Sequence, residues 1–383
     1  MTNRLRIATL LSLTLLIGIS PAQASAEAKY AAELSATSGE VWVRQGDSRN
    51  ELKAEAPLKL IAGSRIRTGS DGTAELSFED GSVLNLKPDS SMKLSAYPRK
   101  LSQKSSVMLF FGQIWTKIRS HVDPKLTEKF TVHTANVACG VRGTEFSVAV
   151  GDDGSMRIRV KGGQVWVRND RQSSKLGSGT ELQGDERGLS ETRSSTPKPR
   201  WRVWRQAKKR RLGKEAGAII YATRSSVERR RQRLEELRAE QTRVLRKREM
   251  IEDRLSMGDP RAKRELAANS RKLDELADRL ADEGDGAHAQ FGTIDRLSSL
   301  TEDERFQMLD RDTIKRELAS LTRIRKSLDA LVADGMKVSI KDMGTMIDDM
   351  RGGQKTLKEK KGSTRDELFG PGGLESEFDR MKP

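Results

Sequence analysis

The feature that most limits what this chain can become is the stretch from Val137 to Lys161, in which two alternating runs flank a tight turn. Phe146, Val148 and Val150 alternate with polar or small residues, and Met156, Ile158 and Val160 alternate with Arg157, Arg159 and Lys161. A period of two is that of half-buried strands. Gly151-Asp152-Asp153-Gly154 joins the runs, and its Asp-Gly supplies the positive φ that tight hairpins favour. The stretch is a predicted β-hairpin, and its apolar face needs other strands to cover it.

Those strands are visible in the surrounding sequence. Gly162-Gly163-Gln164-Val165-Trp166-Val167-Arg168 nearly repeats Gly39-Glu40-Val41-Trp42-Val43-Arg44, and Gly112-Gln113-Ile114-Trp115 is a shorter third copy, at irregular spacing. Such recurrence suggests stacked β-units. Between Arg65 and Leu86 the chain alternates on both sides of Asp-Gly turns, with Ala74, Leu76 and Phe78 on one face and Leu84 and Leu86 on another. Short strands with closely spaced turns predict an all-β module over residues 33–191, of sandwich, barrel or solenoid type, and argue against an α/β enzyme. If the valines and isoleucines of the three copies point inward, Trp42, Trp115 and Trp166 point outward. Stacked copies would align them as an aromatic stripe, to be covered by the chain's own helices, by a protein or by a sugar ring.

The totals set the rest of the frame. A chain of 383 residues is long enough for two ordinary domains, and a formal charge of +16 implies anionic company: nucleic acid, lipid head groups or acidic glycans. Residues 1–24 have the form of an export signal, with Arg4 and Arg6, an apolar run from Ile7 to Ile19, and Ala22-Gln23-Ala24 as a small-x-small cleavage site. That run is shorter than the roughly 20 residues a spanning helix needs. Cleavage after Ala24 is the expectation, with an uncleaved anchor as the alternative. Export then places the mature protein in the periplasm or outside the cell and disfavours nucleic acid as its target. The single cysteine, Cys139, is expected to be a small buried strand residue, with a disulfide-linked dimer as the alternative.

After residue 191 the chain changes character. Residues 192–214 read as a basic linker containing Pro, Trp and Arg, in which Arg200, Trp201, Arg202, Trp204, Arg205, Lys208, Lys209, Arg210 and Arg211 concentrate positive charge with no acidic residue between them. Arginines neutralise phosphates and indoles favour interfaces, so this run is a candidate contact for an anionic surface. The alternative is the solvated start of a charged helix. Residues 215–283 are predicted to form an antiparallel helical hairpin or coiled coil. Val227, Leu234, Leu237, Val244, Ile251 and Leu255 form one seam, interrupted by Gln241 and Arg248, and Leu266, Leu273, Leu276 and Leu280 form the other. Gly258-Asp259-Pro260 separates the two helices. Glycines 284, 286 and 292 are expected to break the pattern, and Thr301-Glu302-Asp303-Glu304 has the spacing of a capping box. Further amphipathic helices are expected within 284–350, on Ile314, Leu318, Leu321, Ile324, Leu328 and Leu331, followed by a mostly disordered tail over 351–383.

Four segments occur in a fixed order: Ile61-Ala62-Gly63-Ser64-Arg65-Ile66-Arg67-Thr68-Gly69, Phe78-Glu79-Asp80-Gly81-Ser82-Val83-Leu84-Asn85-Leu86-Lys87-Pro88-Asp89-Ser90, Val141-Arg142-Gly143-Thr144-Glu145-Phe146-Ser147-Val148 and Lys161-Gly162-Gly163-Gln164-Val165. Together they resemble the FecR-type domain, a family named for a periplasmic regulator of ferric-citrate uptake. The resemblance implies an all-β, solenoid-like module in the bacterial envelope that senses a partner outside the cytoplasm. Control of a sigma factor is not carried over from the signalling members, because no segment precedes the signal to perform it.

No catalytic residues, cofactor site or metal site are expected. His121, His133 and His288 stand apart, without the paired spacing of a zinc site, and no glycine-rich loop leads into a phosphate-binding helix. Arg142-Gly143-Thr144 reads first as a structural turn and second as a recognition turn, with the Arg142 fork offered to a carboxylate or phosphate. The expected function is that of an exported, non-enzymatic protein. Its β-module would dock an envelope protein through Trp42, Trp115, Trp166 and Arg142, while basic helices provide assembly and possible homo-oligomerisation. The alternative is a peptidoglycan or anionic-glycan module using the same tryptophans and the basic run.

Overall fold

The structure is a computed structural model that describes residues 31–96, 105–120, 129–190, 193–194, 201–303 and 310–337. The expected signal, the amphipathic piece after residue 337 and the tail over 351–383 lie outside the described residues, as do His121 and Arg200.

The β-module consists of two layers that share one strand. In the first layer the spatial order is Leu58–Leu60, Ala32–Ser38, Thr73–Ser77, Val83–Leu86, the second half of Ser105–Lys117, Glu145–Val150, Met156–Gly162 and Thr180–Asp185. In the second it is Leu52–Lys53, Val41–Arg44, Arg65–Thr68, Ser91–Leu94, the first half of Ser105–Lys117, Phe130–His133, Ala138–Val141, Val165–Arg168 and Ser173–Leu176. The assembly does not close on itself. The shared strand changes layer at Gly112, whose φ of +100° is open to glycine and strained for other residues. A Cβ there would also lie 2.1 Å from Ser90 Oγ. One glycine thus lets a single strand serve both layers.

The predicted hairpin forms, with Phe146 opposite Val160, Val148 opposite Ile158 and Val150 opposite Met156. All six are buried, and they belong to one core that takes apolar side chains from both layers. Burying one such side chain contributes about 1.5–3 kcal/mol, so alternation along many short strands is what makes the module stable. Cys139 sits inside this core, out of reach of another chain's thiol.

The helical half departs from expectation in three places. Residues 201–214 are not a linker but the start of helix α1, Trp201–Ser256, which kinks at Glu215 between Gly213 and Gly217. Helix α2, Ala262–Glu302, runs straight through the glycines that were expected to interrupt it. Those glycines are points of close approach: a Cβ on Gly292 would lie 2.0 Å from the Phe110 ring, and one on Gly286 would lie 2.3 Å from the Arg230 guanidinium. Thr301 stands in the last turn of α2, donating to the Ser298 carbonyl (2.7 Å), so it does not cap a new helix. A third helix, α3, covers residues 311–337.

The expected seams hold in part and close on one another within the chain, while Leu255, expected in the α1 seam, is exposed. Val227, Leu234 and Leu237 of α1, Leu276 and Leu280 of α2, and Ile314, Leu318, Leu321 and Leu328 of α3 share a second core. Gln241, the polar break in the α1 seam, is buried and donates to the Gly335 carbonyl of α3 (3.0 Å). Asp259 accepts the Arg261 backbone N–H at 2.9 Å, an Asx turn between α1 and α2, whose N-cap position is Arg261 and not Asp259.

Candidate binding surfaces

Two features that the sequence presents separately, the hairpin turn and the basic run, are one junction in the folded chain. The turn carries Asp152 and Asp153, each only 1% exposed. Asp152 accepts from Arg205 of α1 (3.3 Å) and Arg296 of α2 (2.8 Å), and Arg205 also reaches Asp89 (2.9 Å). Asp153 accepts from Arg211 (3.0 Å), which further contacts Asp185 (3.4 Å), Glu215 (3.0 Å) and Glu186. Burial works against the Arg211 charge, but Glu186, Glu215 and Asp153 outweigh it and raise its already high pKa further. Trp204 lies beneath Arg157 (5.1 Å) and Lys208 (5.6 Å) and stacks on Trp201 (5.3 Å).

This corrects the expectation that the basic run faces an anionic surface as a unit. Trp204, Arg205 and Arg211 are turned inward and partnered, because a helix of period 3.6 points one side of the run at the hairpin turn. Arg202, Lys209 and Arg210 are on the exposed side, and Trp201 and Lys208 are half-buried.

A second junction lies farther along α1. Asp170 accepts from Arg233 (2.9 Å), Arg229 (3.2 Å) and Ser226 Oγ (2.9 Å), and Arg233 also donates to Glu283 of α2 (3.0 Å). Burial alone would raise the Asp170 pKa, but the surrounding arginines, Arg233 foremost, hold it below the ordinary carboxylate value. On the outer side of the shared strand, α2 packs Ala289 against Met108 and Phe110. Asp285 accepts there from Ser95 Oγ (2.9 Å) and Ser106 Oγ (2.8 Å). Sequence reasoning missed these acids. The only hint was the doubled aspartate in a turn that needs one, since their partners on the helices are 53 or more positions away.

The three tryptophans all lie half-buried on outward-facing positions, but they do not line up. Trp42 and Trp166 occupy equivalent strands, each next to the end of the second layer, whereas Trp115 is in the middle of the first layer, flanked by Asn85 and Ser147. The expected stripe is absent because the three copies are separated by other strands. Cross-strand cations cover two of the rings: Arg67 over Trp42 at 4.1 Å and Lys175 over Trp166 at 5.3 Å.

Arg142-Gly143-Thr144 is built into a turn, with Thr144 Oγ1 bridging to the Gln164 carbonyl (2.7 Å). Asp80-Gly81-Ser82 is likewise structural. The Asp80 carboxylate accepts the Ser82 N–H (2.8 Å) and pairs with Lys129 (2.9 Å). Burial opposes its charge, but these two bonds prevail and hold its pKa low. Among the described residues, no group of three or more His, Cys, Asp or Glu is placed to hold a metal ion.

The family model described as FecR protein matches residues 64–175. No curated protein matches the chain. Among solved structures, two crystal structures of a candidate anti-sigma factor from Parabacteroides distasonis ATCC 8503, at 1.65 Å and 2.50 Å, are similar at 20% identity with a TM-score of 0.30. The match takes in 34% of this chain and spans 59% of the other. The matched interval starts at Ser64, before the strand Arg65–Thr68, and ends within Ser173–Leu176. It contains the shared strand, the 145–162 hairpin and Asp152, Asp153 and Asp170, so the FecR model covers the centre of the β-module.

Proposed function

We propose that this is an exported, non-enzymatic envelope protein whose FecR domain docks a protein partner, for sensing or for scaffolding. The observation that carries the reading is the FecR match over the part of the β-module that holds the helices in place. Trp42 and the half-buried positions around it are the proposed docking face. The ring is fixed under Arg67, which Glu51 in turn holds at 2.7 Å, and a rigid aromatic costs little conformational entropy to bury. The helices contribute by fixing the orientation of the module. Their apolar seams are used inside the chain, so assembly through them would need a surface other than those seams. Among the described residues no helix is long and apolar enough to cross a membrane. The proposed location, periplasmic or secreted after cleavage near Ala24, is checked by N-terminal sequencing of the mature protein, which should begin at Ser25.

Crosslinking in the native envelope, followed by identification of the adduct, tests the docking reading. The expected result is one discrete protein adduct that Trp42→Ala reduces strongly. No adduct above background would overturn it. Saturable sedimentation with purified peptidoglycan, lost in Trp42→Ala and Trp166→Ala, would instead favour the glycan alternative.

A further inference from the structure

The outer face of the second layer carries three cations in direct register. Arg44 is opposite Arg65, and Arg65 is opposite Lys93, on three neighbouring strands. Directly opposed side chains have Cβ atoms about 4.5–5.5 Å apart, and like charges so placed repel. Folding alone therefore disfavours this row.

No carboxylate touches Arg44 or Lys93 among the described residues. Arg65 donates from Nε to Ser91 Oγ (3.1 Å) and lies over the Phe110 ring (4.8 Å). The Arg44 Nε is buried and has no hydrogen-bond partner. Neither Arg44 nor Lys93 is in an ion pair among the described residues. Carboxylates act on the row only from a distance, Asp47, Asp285 and Asp329 on Lys93 and Asp295 and Glu51 on Arg65; of these, Glu51 is paired with Arg67 and Asp295 with Arg325 (3.0 Å), and Asp285 accepts from Ser95 and Ser106. Burial, above all, lowers the pKa of both Arg65 and Lys93, and the Arg44 charge adds to the effect. Phe110, close against Gly292 of α2, lies at the side of the row under Arg65.

We propose that Arg44, Arg65 and Lys93 form a binding site for a small oxyanion, carboxylate or phosphate in class. Two guanidinium forks and an ammonium offer charge-assisted bonds to several oxygens of one group. The anion supplies in direct contact the counter-charge that Asp47, Asp285 and the other carboxylates give only from a distance, and it satisfies the buried Arg44 Nε. This site is independent of docking at Trp42.

The test is calorimetric titration of the full chain with inorganic phosphate and, separately, succinate, at ionic strength held constant with chloride. Saturable binding of either supports the site, and which of the two binds assigns phosphoryl or carboxylate chemistry. Arg44→Gln and Lys93→Gln should each weaken binding about tenfold, the effect of losing a charge-assisted bond. In chloride alone both variants should melt at or above the unsubstituted protein, because a repelling charge has gone. The absence of saturable binding by both anions overturns the proposal. So does a pair of variants that melt lower in chloride and bind unchanged, which would make the row a structural feature only.

Discussion

The two halves of the molecule are held by different physics. The β-module has a dry core of alternating side chains, such as Phe146, Val148 and Ile158, contributed by many short strands. The helices have a core of their own, but what fixes them to the module is largely ionic: Asp152, Asp153 and Asp170 on the β side and Arg205, Arg211, Arg233 and Arg296 on the helical side. An apolar core tolerates any neighbour of suitable size, whereas a buried carboxylate requires its partner. The comparison teaches that the core sets the stability of the module, and the acids set where the helices lie on it.

Four substitutions sharpen this contrast, the first two having the largest expected effects. Phe146→Ala removes a fully buried ring from the core and should cost about 3–5 kcal/mol in chemical denaturation; a loss under about 1 kcal/mol would mean the core is not the main support. Asp152→Ala strands Arg296, leaves Arg205 with Asp89 alone, and should cost about 3 kcal/mol. Amide exchange should then speed up at the start of α1 and the end of α2 while the 145–162 hairpin stays protected. Uniform acceleration would break the distinction between core and junction.

Gly292→Ala raises helix propensity, yet it puts a methyl group against Phe110 and should destabilise by about 1–3 kcal/mol. Combination with Phe110→Leu should show a smaller loss than the two added together; strict additivity would mean that the helix and strand do not meet there. Asp170→Asn should have the smallest effect, about 1 kcal/mol at neutral pH. Because the folded pKa of Asp170 is depressed, its contribution is complete above the unfolded carboxylate range near pH 4 and is lost as pH falls through the folded value. The difference between the two proteins should therefore close in acid, as followed by denaturation at several pH values, and a gap independent of pH would remove the carboxylate from the account.

The hairpin was legible because alternation is a local property: Val148 and Ile158 declare their face by the residues on either side. The same holds for the seams of α1, α2 and α3, where spacings of three, four and seven mark the buried side. The basic run was misread because a Pro-containing, highly charged stretch looks like a linker until something neutralises it. Asp152 and Asp153 do so from about 50 positions away. Gly286 and Gly292 were misread for a related reason. A helical glycine costs only about 1 kcal/mol relative to alanine, a small amount beside the close packing it permits.

By itself, the sequence determined which residues lie inside each half, because burial follows a period that a few neighbouring residues express. Only the tertiary structure decided how the halves meet, which tryptophans lie near one another and where cations oppose cations, as with Arg44, Arg65 and Lys93. Those are relations between strands and helices far apart along the chain. Their energies are electrostatic and depend on distance and burial, neither of which exists until the chain has folded.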